Sequence, residues 1–320
     1  MAHWLVTGGA GYIGAHVVHA LHANGETAVV LDDLSTGAAS RVPSDAVFVE
    51  GHIADRDLVR RTVREHEVAG VIHIAAKKQA GESVADPMLY YRENVAGTQA
   101  LLDVVATEGI RSFVFSSSAA TYGMPDVDVV DEDTPTHPMR PYGVSKLIGE
   151  WMARDLAAVT DLRVLSLRYF NVAGTVSPEL GDPGVFNLIP MVFRELTAGR
   201  PPQVFGADYP TPDGTCIRDY VHVADIADAH VAALRHLSAG EGGSFGVYNV
   251  GGGEGSSVLE VLKVVAEVTG LDAEPVVVDR RPGDPARIIG SADRIRRELG
   301  WTAKHDLRDM VASAWEAWQR

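Results

Sequence analysis

The sequence predicts an α/β protein: a doubly wound parallel sheet followed by a smaller C-terminal α/β part. Two observations carry this. Short, continuous apolar runs recur between helical patterns, as in strands buried on both faces. The first run ends in a glycine-rich turn that opens a helix. Residues 3–7 (HWLVT) are the first predicted strand, and a helical pattern runs from Tyr12 to Ala23. Residues 27–32, 46–50, 70–75, 112–116 and 163–168 follow as strands two to six, most of them separated by helical stretches. Beyond about residue 171 the rhythm breaks. Loops rich in Gly, Pro and Asp (173–187, 206–216, 279–287) alternate with shorter helices. We therefore divide the chain into a cofactor-binding domain, 1–170, and a substrate-binding domain, 171–320. Residues 217–250, with a helical pattern at 225–236 and a strand at 246–250, are expected to return to the first domain's sheet.

Composition limits the function classes. With 28 Lys and Arg against 43 Asp and Glu, the 320-residue chain carries a formal charge of −15. Such a chain is a poor ligand for nucleic acid or anionic membranes, so any phosphate it binds needs a local site. A single cysteine, Cys216, excludes an internal disulfide framework and fits a reducing compartment. No apolar run reaches the length of a membrane span. The apolar first strand begins at once, with no basic leader before it. These features predict a cytoplasmic protein. The histidines show no metal-ligand spacing, and no metal is expected.

In "VTGGAGYIG", Gly8, Gly11 and Gly14 stand between strand one and helix one. The first glycine permits the tight turn, the second lets backbone approach a pyrophosphate, and the third lets the helix pack on the sheet. The anion then meets free amides at the helix N-terminus. Asp32 ends strand two, where a carboxylate takes the adenosine ribose hydroxyls and repels a 2′-phosphate, which favours NAD over NADP. Asp33 is adjacent and shares the candidacy.

"RPYGVSK" puts Tyr142 and Lys146 four residues apart at a helix start, on one face. A neighbouring ammonium, together with a positive nicotinamide ring, stabilises a phenolate and lowers the tyrosine toward working pH. Such a tyrosine can take a proton from an alcohol while hydride leaves its carbon. Upstream, Ser116, Ser117 and Ser118 close strand five, whose end faces the ligand crevice of a parallel sheet.

The glycine triplet, serine strand and Tyr-x-x-x-Lys together resemble the extended short-chain dehydrogenase/reductase superfamily, whose cofactor domain is of the Rossmann type. "GESVADPMLYYRENVAGT" (81–98), "LRYFNVAG" (167–174), "VFGADYPTPDGTCIRDYVHVADIADAH" (204–230) and "RRPGD" (280–284) narrow the resemblance to the UDP-glucose 4-epimerases. It covers nearly the whole chain, and the 204–230 segment is its most specific part. The resemblance implies a redox-neutral reaction. Tyr142 removes the proton of the sugar 4-hydroxyl, hydride passes from C4 to NAD, and the ketone turns and takes it back on its other face. Lys146 would hold the nicotinamide ribose, and Ser118 the sugar hydroxyl, with Ser117 as a second candidate. The implied cofactor contacts are Gly8, Gly11, Tyr12, Ile13, Gly14, Asp32, Asp33, His52, Ile53, Ala75, Ala76, Lys78, Asn94, Ser116, Tyr142, Lys146 and Tyr169. The implied UDP-sugar contacts are Ser118, Tyr142, Phe170, Asn171, Asn187, Leu188, Arg218, Arg281 and Asp284, the two guanidinium forks suiting a diphosphate. A homodimer through helices near 88–107 and 143–158 is also implied.

The chain departs from the family in places. His52 stands where an Asp usually meets the adenine amine. Ile288 stands where a tyrosine goes with exclusion of N-acetylated sugars and a small residue with their acceptance, so UDP-N-acetylglucosamine stays open as a substrate. Rival chemistries lose their acids. Elimination of water needs an acid pair at Ala119 and Ala120, and decarboxylation of UDP-glucuronate a Glu near Ala120. A non-catalytic NAD-binding regulator is the alternative of another class, and the retained Tyr142–Lys146 pair argues against it. Other features read as structural: Ser256 or Ser257 as a helix cap, Cys216 as packing, His222 as a structural hydrogen bond, residues 55–67 as a solvated helix, and a terminal helix with two core-side tryptophans.

Overall fold

The structure, a computed structural model, describes residues 3–240, 242–281 and 283–320. Strands β1 (His3–Thr7), β2 (Thr27–Asp32), β3 (Val47–Glu50), β4 (Val68–His73), β5 (Ser112–Ser118) and β6 (Arg163–Tyr169) belong to one sheet. The second half adds β7 (Asn171–Ala173), β8 (Gln203–Phe205), β9 (Ile217–His222), β10 (Ser244–Val250), β11 (Gly255–Ser257), β12 (Val276–Val278) and β13 (Arg287–Ile288). The seven-stranded sheet has the order β10-β6-β5-β4-β1-β2-β3, all parallel. The order reverses between β1 and β4, the switch point where a doubly wound sheet opens its ligand crevice. The predicted fold class is thus the observed one.

Among the helices of the first half are α1 (Tyr12–Ala23), α2 (Arg56–Glu65), α3 (Ala80–Ala85), α4 (Pro87–Tyr90), α5 (Gly97–Thr107) and α6 (Pro141–Ala157). A wide π turn, Tyr91–Ala96, joins α4 to α5. The second half contributes α7 (Leu188–Thr197), α8 (Val223–Ala239), α9 (Val258–Thr269), α10 (Asp293–Leu299) and α11 (Leu307–Trp318). Two cores cover the two faces of the large sheet. α1 and α8 close one, around Val6, Val30, Val114 and Leu167. α2, α5 and α6 close the other, around Leu5, Leu31, Val71, Phe113 and Phe115. Each fully buried aliphatic or aromatic side chain stabilises by about 1.5–3 kcal/mol relative to exposure. A third core lies between α7, α9, α11 and β9.

Several boundaries differ from the expected ones. β4 lies at 68–73 rather than 70–75, because Ile74 and Ala75 leave the ladder and both donate to the Thr7 carbonyl, at 3.1 and 3.0 Å. α6 starts at Pro141, whose missing N–H costs nothing at a first helical position, so Tyr142 is already inside the helix. Residues 217–250 split: α8 and β10 join the large sheet, whereas β9 lies in a small sheet with β7, β11 and β13. Ser257, not Ser256, caps α9, in a capping box with Glu260. His222 accepts from the Ala224 amide through Nδ1 and meets Ser313 through Nε2. Trp315 and Trp318 pack on Phe193, at ring separations of 5.0 and 6.0 Å.

Candidate active site

The carboxyl edge of the large sheet is built mainly from backbone. Gly8 takes φ +72°, which a side chain disfavours, and its amide donates to the Leu31 carbonyl at 2.8 Å. A Cβ on Gly14 would stand 2.0 Å from the Gly8 oxygen, so only glycine lets α1 start against the turn. No side chain caps the first turn of α1, and that turn holds no acidic residue. Its amides are therefore free for a pyrophosphate. Asp32 is buried, and its oxygens take the Ala10 and Leu34 amides, each at 2.9 Å. Leu34 adopts φ +56°, a strained conformation for a branched residue, and so delivers that amide. Burial raises the Asp32 carboxyl above its usual value and the two amides partly offset this. Asp33 is exposed and holds the Ser35 amide at 2.9 Å. A glycine cradle, an uncapped helix start and a carboxylate at the end of β2 fit NAD.

Tyr12 and Ile53 are buried, Ala75 and Ala76 half-buried, and exposed Lys78 holds its ammonium 5.8 Å from the Tyr12 ring. His52 meets Glu93 through Nε2 at 2.8 Å and accepts the Ala54 amide through Nδ1, so its ring is already engaged within the chain. Asn94, inside the π turn, spends its amide on the protein. It pairs with both backbone groups of Lys77, at 2.8 and 3.0 Å, and donates to Ser145 Oγ at 3.0 Å. It thereby ties the loop after β4 to the helix that carries Lys146.

Tyr142 is half-buried and edge-on to Tyr90 at 6.4 Å, with the Ser118 side chain beside its hydroxyl. Lys146 is buried, donates to the Ser116 carbonyl at 2.7 Å and lies 5.3 Å from the Phe115 ring. Burial pushes the lysine down to about 8, and Glu150 opposes this. Burial also raises Tyr142 above its ordinary value, against the lowering effect of Ser118. The expected lowering of Tyr142 by Lys146 is thus not found in the chain alone, because the ammonium is directed to the Ser116 carbonyl. Strand alternation separates the serines. Ser116 donates to His230 on the α8 side, whereas Ser117 turns to α6 and donates to Glu150 at 2.5 Å. Ser117 therefore points away from Ser118 and cannot assist it. Tyr169 is buried beside His230, and Phe170 packs with Ala119, Tyr122, Val130 and Ile288.

A cavity of about 710 Å³ opens between the large sheet's edge and the third core. Asn171, Asn187, Leu188, Arg218, Arg281 and Asp284 all line it. Tyr142, Ser118 and Phe170 do not; they stand along the sheet edge. Arg218 pairs with Asp284 at 3.6 Å, and the Arg281 guanidinium stacks 3.7 Å from the centre of the Phe205 ring. Cys216 is half-buried and lines this cavity rather than the core.

A family model described as "NAD dependent epimerase/dehydratase family" matches residues 4–251. The chain belongs to this family. The UDP-glucose 4-epimerase of Azospirillum brasilense is 48% identical over 320 residues, 99% of this chain and 91% of that one. Of the solved structures, the UDP-glucose-4-epimerase of Stenotrophomonas maltophila, with bound NAD and formylated UDP-arabinopyranose, superposes with a TM-score of 0.96. It is 40% identical, over 100% of this chain and 98% of that one. The UDP-Glc/GlcNAc 4-epimerase of Campylobacter jejuni superposes with a TM-score of 0.88 at 36% identity, over 100% and 99% of the two chains.

Within this family member, sequence reasoning passed over the groups beneath the Tyr142–Lys146 face. Glu150, Arg168, Tyr122 and Asn249 form one buried set, joined by hydrogen bonds at its two ends and by the Arg168 guanidinium over the Tyr122 ring in the middle. The signal for Glu150 was present, since Tyr142, Lys146 and Glu150 repeat at i, i+4 and i+8. Arg168 has no local signal, because its place follows from the β5–β6 register.

Proposed function

We propose that the chain is an NAD-dependent 4-epimerase of UDP-sugars, acting on UDP-glucose and UDP-galactose. The observation that carries this is Tyr142 set beside Ser118 at the sheet's carboxyl edge, followed by Ala119 and Ala120, which cannot transfer protons. Bound NAD supplies the acceptor for a hydride and its return. Gly8, Gly11 and the first turn of α1 would hold its pyrophosphate, and Asp32 its adenosine ribose. Tyr142 Oη takes the proton of the sugar hydroxyl at the reacting carbon and gives it back after the sugar has turned. Ser118 Oγ orients that hydroxyl. Lys146 holds positive charge under this edge. Arg218 and Arg281 grip the diphosphate, Asn187, Leu188 and Asp284 the uridine, and Phe170 and Asn171 the sugar. Proton and hydride leave and return together, so the sugar is neither oxidised nor reduced overall.

Residues 1–170 with α8 and β10 would form the cofactor domain, and the rest of 171–320 the UDP-sugar domain. Among the described residues, no helix is long and apolar enough to cross a membrane. With the acidic charge this supports a cytoplasmic protein that binds neither membrane nor nucleic acid. Met88 on α4 and Trp151 on α6 are exposed on neighbouring helices, which supports a homodimer through this face. Light scattering giving a monomer would exclude that dimer.

The decisive experiment is an NMR assay of the purified protein with UDP-glucose, UDP-N-acetylglucosamine, UDP-xylose and UDP-glucuronate. UDP-galactose is the expected product of the first. Ile288, packed on Phe170, keeps the N-acetylated substrate as the second reading. No 4-epimer from any of the four would sink the proposal in favour of a non-catalytic NAD-binding protein. Tyr142→Phe should lower kcat about 10²–10⁴-fold with NAD still bound.

A further inference from the structure

Behind the Tyr142–Lys146 face lies a buried ion pair that no step above uses. Glu150 sits one turn beyond Lys146 on α6. Its two oxygens accept from Arg168 Nε at 2.8 Å and Nη2 at 2.6 Å, and Ser117 Oγ adds a third bond at 2.5 Å. The two side chains are only 3% and 6% exposed. Arg168 stands directly opposite Ser117 in the β5–β6 ladder, and its guanidinium lies 4.9 Å over the Tyr122 ring. Tyr122 in turn donates to Asn249 on β10 at 2.7 Å. The set therefore spans α6, β5, β6 and β10. A buried ion pair contributes little stability that apolar residues of similar size could not supply, because both charges lose their water. Its placement points to another use. α6 already approaches β5 so closely that a Cβ on Gly149 would stand 2.4 Å from the Phe115 ring. Next to that contact, the Glu150 carboxylate fixes the rotation of the helix on the serine strand. Tyr142 and Lys146 lie on the same helical stripe.

The surroundings of Lys146 leave Glu150 as the group that can offset its burial. On α6, Tyr142 is a neutral phenol. From β4, His73 is buried and pushed down to about 3, hence neutral. On β5, the ammonium meets a ring and one carbonyl. Behind Ser116, His230 on α8 is pushed down to about 4 and is neutral as well. Asn94, reaching Ser145 from the π turn, carries no charge. Arg168 on β6 shares the Glu150 carboxylate.

We propose that Glu150, clamped by Arg168 and Ser117, is a positioning residue that seats α6 on the serine strand and keeps the Lys146 ammonium charged. Arg168 sets how much of the carboxylate's field reaches the lysine. The proposal rests on the function above only for its kinetic consequence. The charge of Lys146 can be read without turnover.

The experiment follows the lysine side-chain NMR signals of the full chain, ¹³C-labelled at lysine, against pH, with Lys146→Met to assign the signal. Glu150→Gln should lower the Lys146 midpoint by about one unit or more, since it removes an opposite charge. The double variant Glu150→Gln/Arg168→Gln removes a repelling charge as well, and its midpoint should fall between that of Glu150→Gln and the original protein. The alkaline limb of the kcat profile should move in the same order, with KM changed less than about threefold. A merely structural role would unsettle the fold without ordering the midpoints. An unchanged midpoint in Glu150→Gln, or a double variant lower still, overturns the proposal. If Glu150→Gln does not fold, the charge-balanced double variant decides alone: a midpoint equal to the original overturns the proposal and a lower one supports it. Absence of epimerase activity in the original protein would sink the function yet leave these midpoints readable.

Discussion

The two ends of the site are built by opposite means. The cofactor end consists of backbone amides, a glycine contact and a buried carboxylate that is itself tied to two amides. The cavity in the second half relies on side chains: one guanidinium paired with Asp284, another stacked on Phe205, and an exposed Asn187. Backbone groups cannot rearrange without moving the sheet, so the first end should bind rigidly and be insensitive to salt. Side-chain charges near water are screened and adjustable, so the second end should be graded and salt-sensitive. In the proposed reaction NAD stays bound while the UDP-sugar is exchanged at each turnover, and those two roles call for that division.

The strongest break in the contrast is Gly14→Ala. Its methyl has no room beside the Gly8 oxygen, and the backbone must move at a cost of about 3 kcal/mol or more. NAD affinity measured by calorimetry should fall at least about a hundredfold. Normal NAD binding by this variant would show that the turn does not act as a rigid cradle.

Acid should also strike the large sheet hard. His73 and His230 are buried and pushed down to about 3 and about 4, from an ordinary 6.5. Each is neutral in the folded chain, while the unfolded chain takes up a proton first as pH falls. The stability from this difference is present above about pH 6.5 and drains below it, by roughly 2–3 kcal/mol for each histidine near pH 4. Urea midpoints measured from pH 7 to pH 4 should fall steeply, and His230→Gln should flatten the slope. A pH-independent midpoint would contradict buried neutral imidazoles at these two places.

Arg281→Ala tests the other end. Loss of a charge-assisted contact to a diphosphate is worth about 1.5–3 kcal/mol, so KM for the UDP-sugar should rise roughly 10- to 100-fold with kcat changed far less. KM of the original protein should climb between 50 and 500 mM salt while bound NAD stays constant. Equal salt sensitivity at both ends would erase the distinction drawn above. The smallest effect belongs to Ser257→Ala, which removes the α9 cap and a bond to Asp213. It should cost about 1 kcal/mol in thermal unfolding and leave NAD affinity untouched.

The same division governs how much could be read from the residues. The glycine triplet, Asp32, the serine strand and the Tyr142–Lys146 spacing are local patterns, since backbone sites need special residues at fixed offsets. The cavity was reached only through a resemblance, because Arg218, Arg281 and Phe205 come together through a fold whose loops have no periodic signal. Glu150 was visible as a third member of a helical stripe, but its partner Arg168 depends on strand register. The inward turn of Ser117 followed from alternation along β5 once the covering helices were known. His52 was singled out as a departure, yet its attachment to Glu93 joins residues 41 apart and left no trace in the motif.

The π turn at Tyr91–Ala96 has a consequence for chain length. A π turn holds one residue more than a regular helical turn, and such bulges recur at functional sites. Deleting a single residue there would let α4 and α5 merge into one ordinary helix, with better backbone geometry than before. Because the extra residue is taken up within the bulge, the flanking helices would keep their register, but the backbone at Asn94 would tighten and turn its side chain. Asn94 would then no longer reach both Lys77 and Ser145. Such a repair would part the loop after β4 from α6: the extra residue is what lets one asparagine hold both.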